Sequence, residues 1–350
     1  MSRSNLLWHQ LGRRATAFLL VTGLLLSPVV GFSTSSHTAS ASDTIDTMPE
    51  PLATAPESQS TIQPNASGAE SAFAEQMVIL VNQFRAQKGL PPLKVNDALA
   101  KAGQDYSTRL GVANFFGHND PDFGCNKASE RAVTAGYTNW STIGENLAAG
   151  YATAESAFKA LSESPGHRAN MLHENYREIG VGYFFDGNDS ANIRQDGACP
   201  YTRNTAGPYR HYWSQEFGAR YMNGLPYLPM VINGESVSTT QRSISMYVYP
   251  GGIGTNAWAK QVRFSADDTN WTAYQEWSTT LTYNLPGGTG IKTVYAQISN
   301  GLTTQTVSDT IYLVDGSTTE PTPTPSPFPS PTPNPNPNIK PRAFVPIIRR

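Results

Sequence analysis

Apolar positions change period twice along this chain. From Phe73 they follow helical spacing, through Met77, Leu80, Val81 and Phe84, until Gly89, Pro91 and Pro92 end the segment. A second helix is expected from Asp97, read as its N-cap, with Leu99, Ala102, Tyr106 and Leu110 on one face. A short third helix is expected over Ser129 to Ala135. Thr153 caps a fourth through Phe158 and Leu161, and Ser164-Pro165 pairs a capping residue with proline at the first helical position, starting a fifth through Leu172. At Ile179 the period drops to two. Ile179, Val181, Tyr183 and Phe185 alternate as in a half-buried strand, and His211, Trp213, Gln215 and Phe217 do the same. Helices followed by such strands predict an α/β sandwich over residues 72–220. Residues 226–315 then carry short β-rich runs (SISMYVYP, AKQVRFSA, IKTVYAQIS, TIYLVD) between Gly, Asn and Asp turns, the pattern of an all-β sandwich.

The remaining segments are not core material. Residues 1–41 read as a signal peptide: Arg3, Arg13 and Arg14 precede the apolar run Ala15 to Phe32, and Ala39-Ser40-Ala41 offers a cleavage site. An uncleaved anchor is the alternative, which Pro28 and the small-residue triplet disfavour. Residues 42–70 hold few large apolar side chains and are expected to be a disordered linker. Residues 317–350 form a Pro/Thr/Ser-rich tail that ends in AFVPIIRR, a run far too short to span a bilayer. With the signal removed, no integral membrane span is expected.

Charge narrows the partners. The chain has 25 basic and 27 acidic residues, a formal charge of −2, and no basic concentration in its folded regions, so nucleic acid is not an expected partner. Export places the two cysteines, Cys125 and Cys199, in an oxidising compartment, where one disulfide is the expectation.

Four segments stand out for their chemistry: Phe115-Phe116-Gly117-His118-Asn119-Asp120, Gly144-Glu145-Asn146-Leu147-Ala148, Ser164-Pro165-Gly166-His167-Arg168-Ala169-Asn170-Met171-Leu172, and Ile179-Gly180-Val181-Gly182-Tyr183. In this order, followed by Tyr212-Trp213-Ser214-Gln215-Glu216-Phe217-Gly218 and preceded by Val81-Asn82-Gln83-Phe84-Arg85, they resemble bacterial CAP-superfamily (SCP-like) extracellular domains. The resemblance implies a CAP-type α-β-α sandwich and a surface cleft holding His118, Glu145 and His167. Many members add a second acid just before the second histidine; here that position aligns with Ser164, which leaves the four-residue cluster incomplete. Two imidazoles and a carboxylate can hold zinc or another divalent cation, with His118 and His167 as ligands, or can act as an acid/base pair.

A catalytic engine is not evident in the sequence. There is no Gly-x-Ser-x-Gly elbow, and His173-Glu174-Asn175-Tyr176-Arg177 misses the His-Glu-x-x-His zinc pattern at its fifth residue. Ser164 is better explained as a helix cap than as a nucleophile. The C-terminal runs, with Asn270-Trp271 and Trp277, resemble bacterial immunoglobulin-like repeats and imply a spacer or adhesion module. Three functions follow as expectations for a secreted or surface-associated protein: a non-catalytic module binding a lipid-like or cell-envelope ligand, a metal-assisted hydrolase in the same cleft, or a structural or adhesion protein.

Overall fold

The computed structural model describes residues 68–203, 206–222, 224–251, 258–314, 342–343 and 347–349. The expected signal peptide, most of the linker and most of the tail lie outside the described residues. The N-terminal elements run α1 (Gly68–Gln87), β1 (Lys94–Val95), α2 (Asp97–Val112), α3 (Ala128–Thr134), β2 (Trp140–Ala149), α4 (Ala154–Glu163), α5 (Pro165–Met171), β3 (Glu178–Phe185), β4 (Arg194–Asp196), β5 (Thr202–Arg203) and β6 (His211–Met222). All five expected helices are present, as are both expected strands. One cap shifts. Asn96, not Asp97, is the N-cap of α2, because its extended backbone lets Oδ1 accept the Leu99 N–H at 3.1 Å.

β2 was not anticipated, and it organises the site. Its sequence, Trp-Ser-Thr-Ile-Gly-Glu-Asn-Leu-Ala-Ala, lacks apolar alternation because both faces are covered. The sheet runs β1-β3-β6-β2, with β3–β6 and β6–β2 antiparallel. On one face, Ala148, Trp213 and Phe217 pack with Met77 and Val81 of α1, Ala157 and Leu161 of α4, and Met171 of α5. On the other, Leu147, Ala149 and Tyr212 pack with Tyr106 and Leu110 of α2 and with Phe115 and Phe116. The result is helix, sheet, helix. Gly180 and Gly182 explain the Ile-Gly-Val-Gly-Tyr motif: α2 lies so close to β3 that a Cβ at Gly182 would run into the Gly103 backbone, and one at Gly180 into Leu99 and Ala100.

The C-terminal region is largely β. After β7 (Leu225–Pro226), β8 (Met230–Ile232), β10 (Ser243–Val248) and β13 (Leu281–Asn284) form a sheet of order β13-β10-β8. β9 (Ser238–Thr239), β11 (Gln261–Ser265), β12 (Gln275–Glu276), β14 (Gly290–Ser299) and β15 (Thr304–Leu313) form a second, of order β12-β11-β14-β15-β9. Both sheets feed one core, including Ile232, Met246 and Leu281 from the first and Phe264, Val294, Ile298 and Ile311 from the second.

This core is stitched to the helical half. Lys94 of β1 lies 2.5 Å from Asp309 of β15 and 3.2 Å from Glu235. Asn82 Nδ2 donates to the Gly234 carbonyl at 3.2 Å, and the Tyr249 hydroxyl donates to the Pro92 carbonyl at 2.7 Å. Burial alone would lower the Lys94 pKa, but the two carboxylates outweigh it and keep the ammonium charged. Two further strands, β16 (Arg342–Ala343) and β17 (Ile347–Arg349), pair antiparallel with the outer edge of β2.

Candidate functional site

Strand register builds the centre of the site. Glu145 of β2 sits directly opposite Glu216 of β6. Both are buried, and two like charges in that position repel, so the pair holds one proton between them. Arg131 decides which carboxylate keeps it. Burial would raise Glu145, but the Arg131 guanidinium and the His118 ring outweigh it and hold Glu145 below the usual carboxylate range. Burial and the Glu145 charge push Glu216 well above that range. Protonated Glu216 can therefore hydrogen-bond to Glu145, while its Oε1 accepts from the Ser214 hydroxyl at 2.9 Å.

The other partners of Glu145 come from loops and helices. His118, in the loop after α2, places Nδ1 2.6 Å from Oε1 of Glu145, where the ring N–H donates to the carboxylate. Arg131 of α3 donates to Oε2. The same guanidinium donates to the His118 carbonyl at 3.0 Å and lies over the Tyr106 ring. Both Glu145 oxygens are thus engaged, and its charge is balanced by Arg131. Sequence reasoning missed Arg131 and Glu216. The available signal was an acid, Glu216, inside a strand otherwise read as core.

His167 approaches from the opposite face of the sheet. Successive residues of a strand point to opposite sides, so Glu145 faces α2 and α3 while Asn146 faces α5. Asn146 Nδ2 donates to the His167 carbonyl at 3.1 Å, and Asn170 of α5 donates to the Glu145 carbonyl at 3.1 Å. Ser164 occupies the N-cap position of α5, but its side chain makes no capping bond. Its hydroxyl instead lies 2.7 Å from Nδ1 of His167, which corrects the expectation that capping explains it.

Burial first, and His118 second, lower His167 to about 4, so the ring is neutral and a weak proton acceptor at pH 7. Its Nε2 is buried and has no hydrogen-bond partner, so nothing orients the ring from that side. The structure therefore brings His118 and Glu145 together, and Ser164 and His167 together, with His118 close enough to lower the His167 pKa. His118 is 9% exposed and His167 only 2%, so the cluster lies at the inner end of any opening. Among the described residues, no group of three or more His, Cys, Asp or Glu side chains is placed to hold a metal ion. With both Glu145 oxygens engaged, the donors nearest to zinc chemistry are two imidazoles, short of the usual three or four protein ligands.

A disulfide fastens the rim. Cys125 and Cys199 are bonded, as expected, tying the segment between β4 and β5 to the loop beyond His118. Tyr201, two residues further, stacks on Phe115, and its hydroxyl accepts the Asn119 N–H at 3.0 Å.

Residues 78–217, from α1 into β6, match the model of the CAP family, described as the cysteine-rich secretory protein family. The whole site lies within the matched residues. The chain is 35% identical over 123 residues to the uncharacterized protein YkwD of Bacillus subtilis (strain 168), covering 35% of this chain and 47% of that protein. It is 28% identical over 108 residues to the uncharacterized membrane protein YlbC of the same organism, covering 31% and 30%. It thus spans less than half the length of either relative. Solved structures it is similar to include an extracellular SCP-domain protein from Bacillus anthracis str. Ames, with 21% identity, TM-score 0.35, and coverage of 46% of this chain and 45% of that one. An outer surface protein of Borrelia burgdorferi is 17% identical with TM-score 0.32, covering 42% and 93%. Among the described residues, no helix is long and apolar enough to cross a membrane.

Proposed function

We propose that this is an exported CAP-domain protein whose His118/Glu145/His167 site binds a lipid-like or cell-envelope ligand without transforming it. The observation that carries the reading is Nε2 of His167, a buried nitrogen with no hydrogen-bond partner beside a Glu145 carboxylate whose two oxygens are both engaged. A buried polar atom left unpaired costs about 1–3 kcal/mol, so the site favours any occupant that supplies the missing bond. A neutral imidazole can donate or accept that one bond, which suits a hydroxyl or amide group on the ligand. Export is read from residues 1–41, and the C-terminal β region as an immunoglobulin-like spacer that sets the domain off from the surface.

A second reading, hydrolysis by an activated water, draws on the His118–Glu145 pair, whose 2.6 Å contact is that of a base held by its orienting carboxylate. It needs an electrophilic partner, and zinc at His118 and His167 is the candidate. The deciding experiment purifies the full chain from its native host without detergent, extracts it and analyses the extract by mass spectrometry, beside His167→Ala. Binding predicts a stoichiometric compound in the unaltered chain that falls at least about tenfold in the variant, the loss of one 1.4 kcal/mol contact. Empty protein, together with one equivalent of zinc bound in calorimetry, would replace this reading with the hydrolase.

A further inference from the structure

The tail strands carry an inference of their own. β2 pairs with β6 along one edge, and its other edge is taken by β16 and β17 of the same chain. Arg342 lies opposite Ala149, Ala343 opposite Ala148, Ile347 opposite Glu145, Ile348 opposite Gly144 and Arg349 opposite Ile143.

The position of this strand matters because His118 and α5 reach β2 from opposite faces at Glu145 and Asn146, and β6 occupies the inner edge. The outer edge at Glu145 is the one along which a ligand chain could contact both histidine-bearing elements, and that is where Ile347 pairs. The tether permits it: a Pro-rich chain between Val314 and Arg342 extends to about 80 Å at ~3.1 Å per residue, more than twice the length of β2.

We infer that the outer edge of β2 is a binding site for an extended polypeptide strand added to the sheet, and that β16 and β17 are its built-in occupants. This rests on reading the His118/Glu145/His167 site as one that binds rather than reacts, and it names the ligand class as backbone in β conformation. Main-chain hydrogen bonds supply the affinity, and the tether supplies an effective concentration in the millimolar range. A strand arriving from outside must displace the tail.

The test uses the full chain, its Ile348→Pro variant, and a fluorescein-labelled peptide with the sequence of residues 340–350, KPRAFVPIIRR. Proline at 348 has no N–H to offer a ladder and is poorly tolerated inside a paired strand. In hydrogen exchange, half of the amides of residues 143–149 are expected to exchange at least about tenfold faster in the variant. The labelled peptide is expected to bind the variant, restore that protection, and bind the unaltered chain at least about a hundredfold more weakly. Equal exchange in both proteins, with peptide binding to neither, overturns the inference. So does peptide binding that leaves residues 143–149 unprotected. The two proposals fail separately: a co-purified compound retained equally by both proteins, with no peptide binding, keeps the small-ligand reading and sinks this one. Peptide binding to otherwise empty protein does the reverse.

Discussion

Glu216→Gln isolates the proton held in the site. The folded chain keeps Glu216 protonated because burial and the Glu145 charge raise it well above its ordinary value of 4.5. The unfolded chain releases that proton near 4.5. A raised carboxyl contributes stability that is fully present below the unfolded value and is lost as pH climbs toward the folded one. Between 4.5 and the raised folded value, the folded state gives up at most about 1.36 kcal/mol per pH unit. Glutamine has nothing to titrate, and its amide can donate to Glu145 as the protonated acid does. The variant should therefore gain on the parent as pH rises from 4.5 toward 7, at up to about 1.36 kcal/mol per unit. Denaturant unfolding of both proteins at five or six pH values gives the difference directly. The comparison cancels His167, whose lowered pKa acts in the opposite sense: its contribution is complete above 6.5 and is lost as pH falls through about 4. A stability difference that stays flat between pH 4.5 and 7 would refute the shared-proton assignment, whatever its sign.

Other perturbations probe other parts. Replacing Cys125 and Cys199 by serine opens a loop of sequence separation 74 and should cost about 4 kcal/mol in the chain-entropy model, read by unfolding under oxidising conditions. A loss under about 1 kcal/mol would mean the rim holds without the bond. Lys94→Ala strands Glu235 and Asp309 in the interface and should cost about 3–5 kcal/mol in denaturant unfolding. Because burial and Asp309 raise Glu235 to about 8 even beside Lys94, which lowers it, the variant holds Glu235 higher still, and raising the pH from 6 to 9 should widen that deficit as only the unaltered chain completes its titration.

What the sequence made legible was local. Helix periods, the Pro165 start and the Ile179 and His211 strands are written in neighbouring residues, and the disulfide followed from there being only two cysteines. β2 was hidden because covering it on both faces replaces alternation with buried polar residues that need partners: Asn146 bonds Gln215 and Asn170. Glu216 was hidden for a related reason, since an acid within a strand reads as a solvent-facing position until its cross-strand neighbour is known. Asn96 and Asp97 are both cap formers, and only the extended backbone at 96 separates them. The Lys94, Glu235 and Asp309 cluster joins positions far apart in the chain, which no window of periodicity can pair.

That cluster also sets how the molecule carries tension. β15 ends at Leu313, just before the Pro-rich tract, so a pull applied within that tract enters the C-terminal core along the strand that holds Asp309. From there, Lys94 offers a route into β1 and, through its parallel pairing with β3, into the main sheet. The peptide link between β6 and β8 offers another. Load is thus divided between a shunt and the main chain.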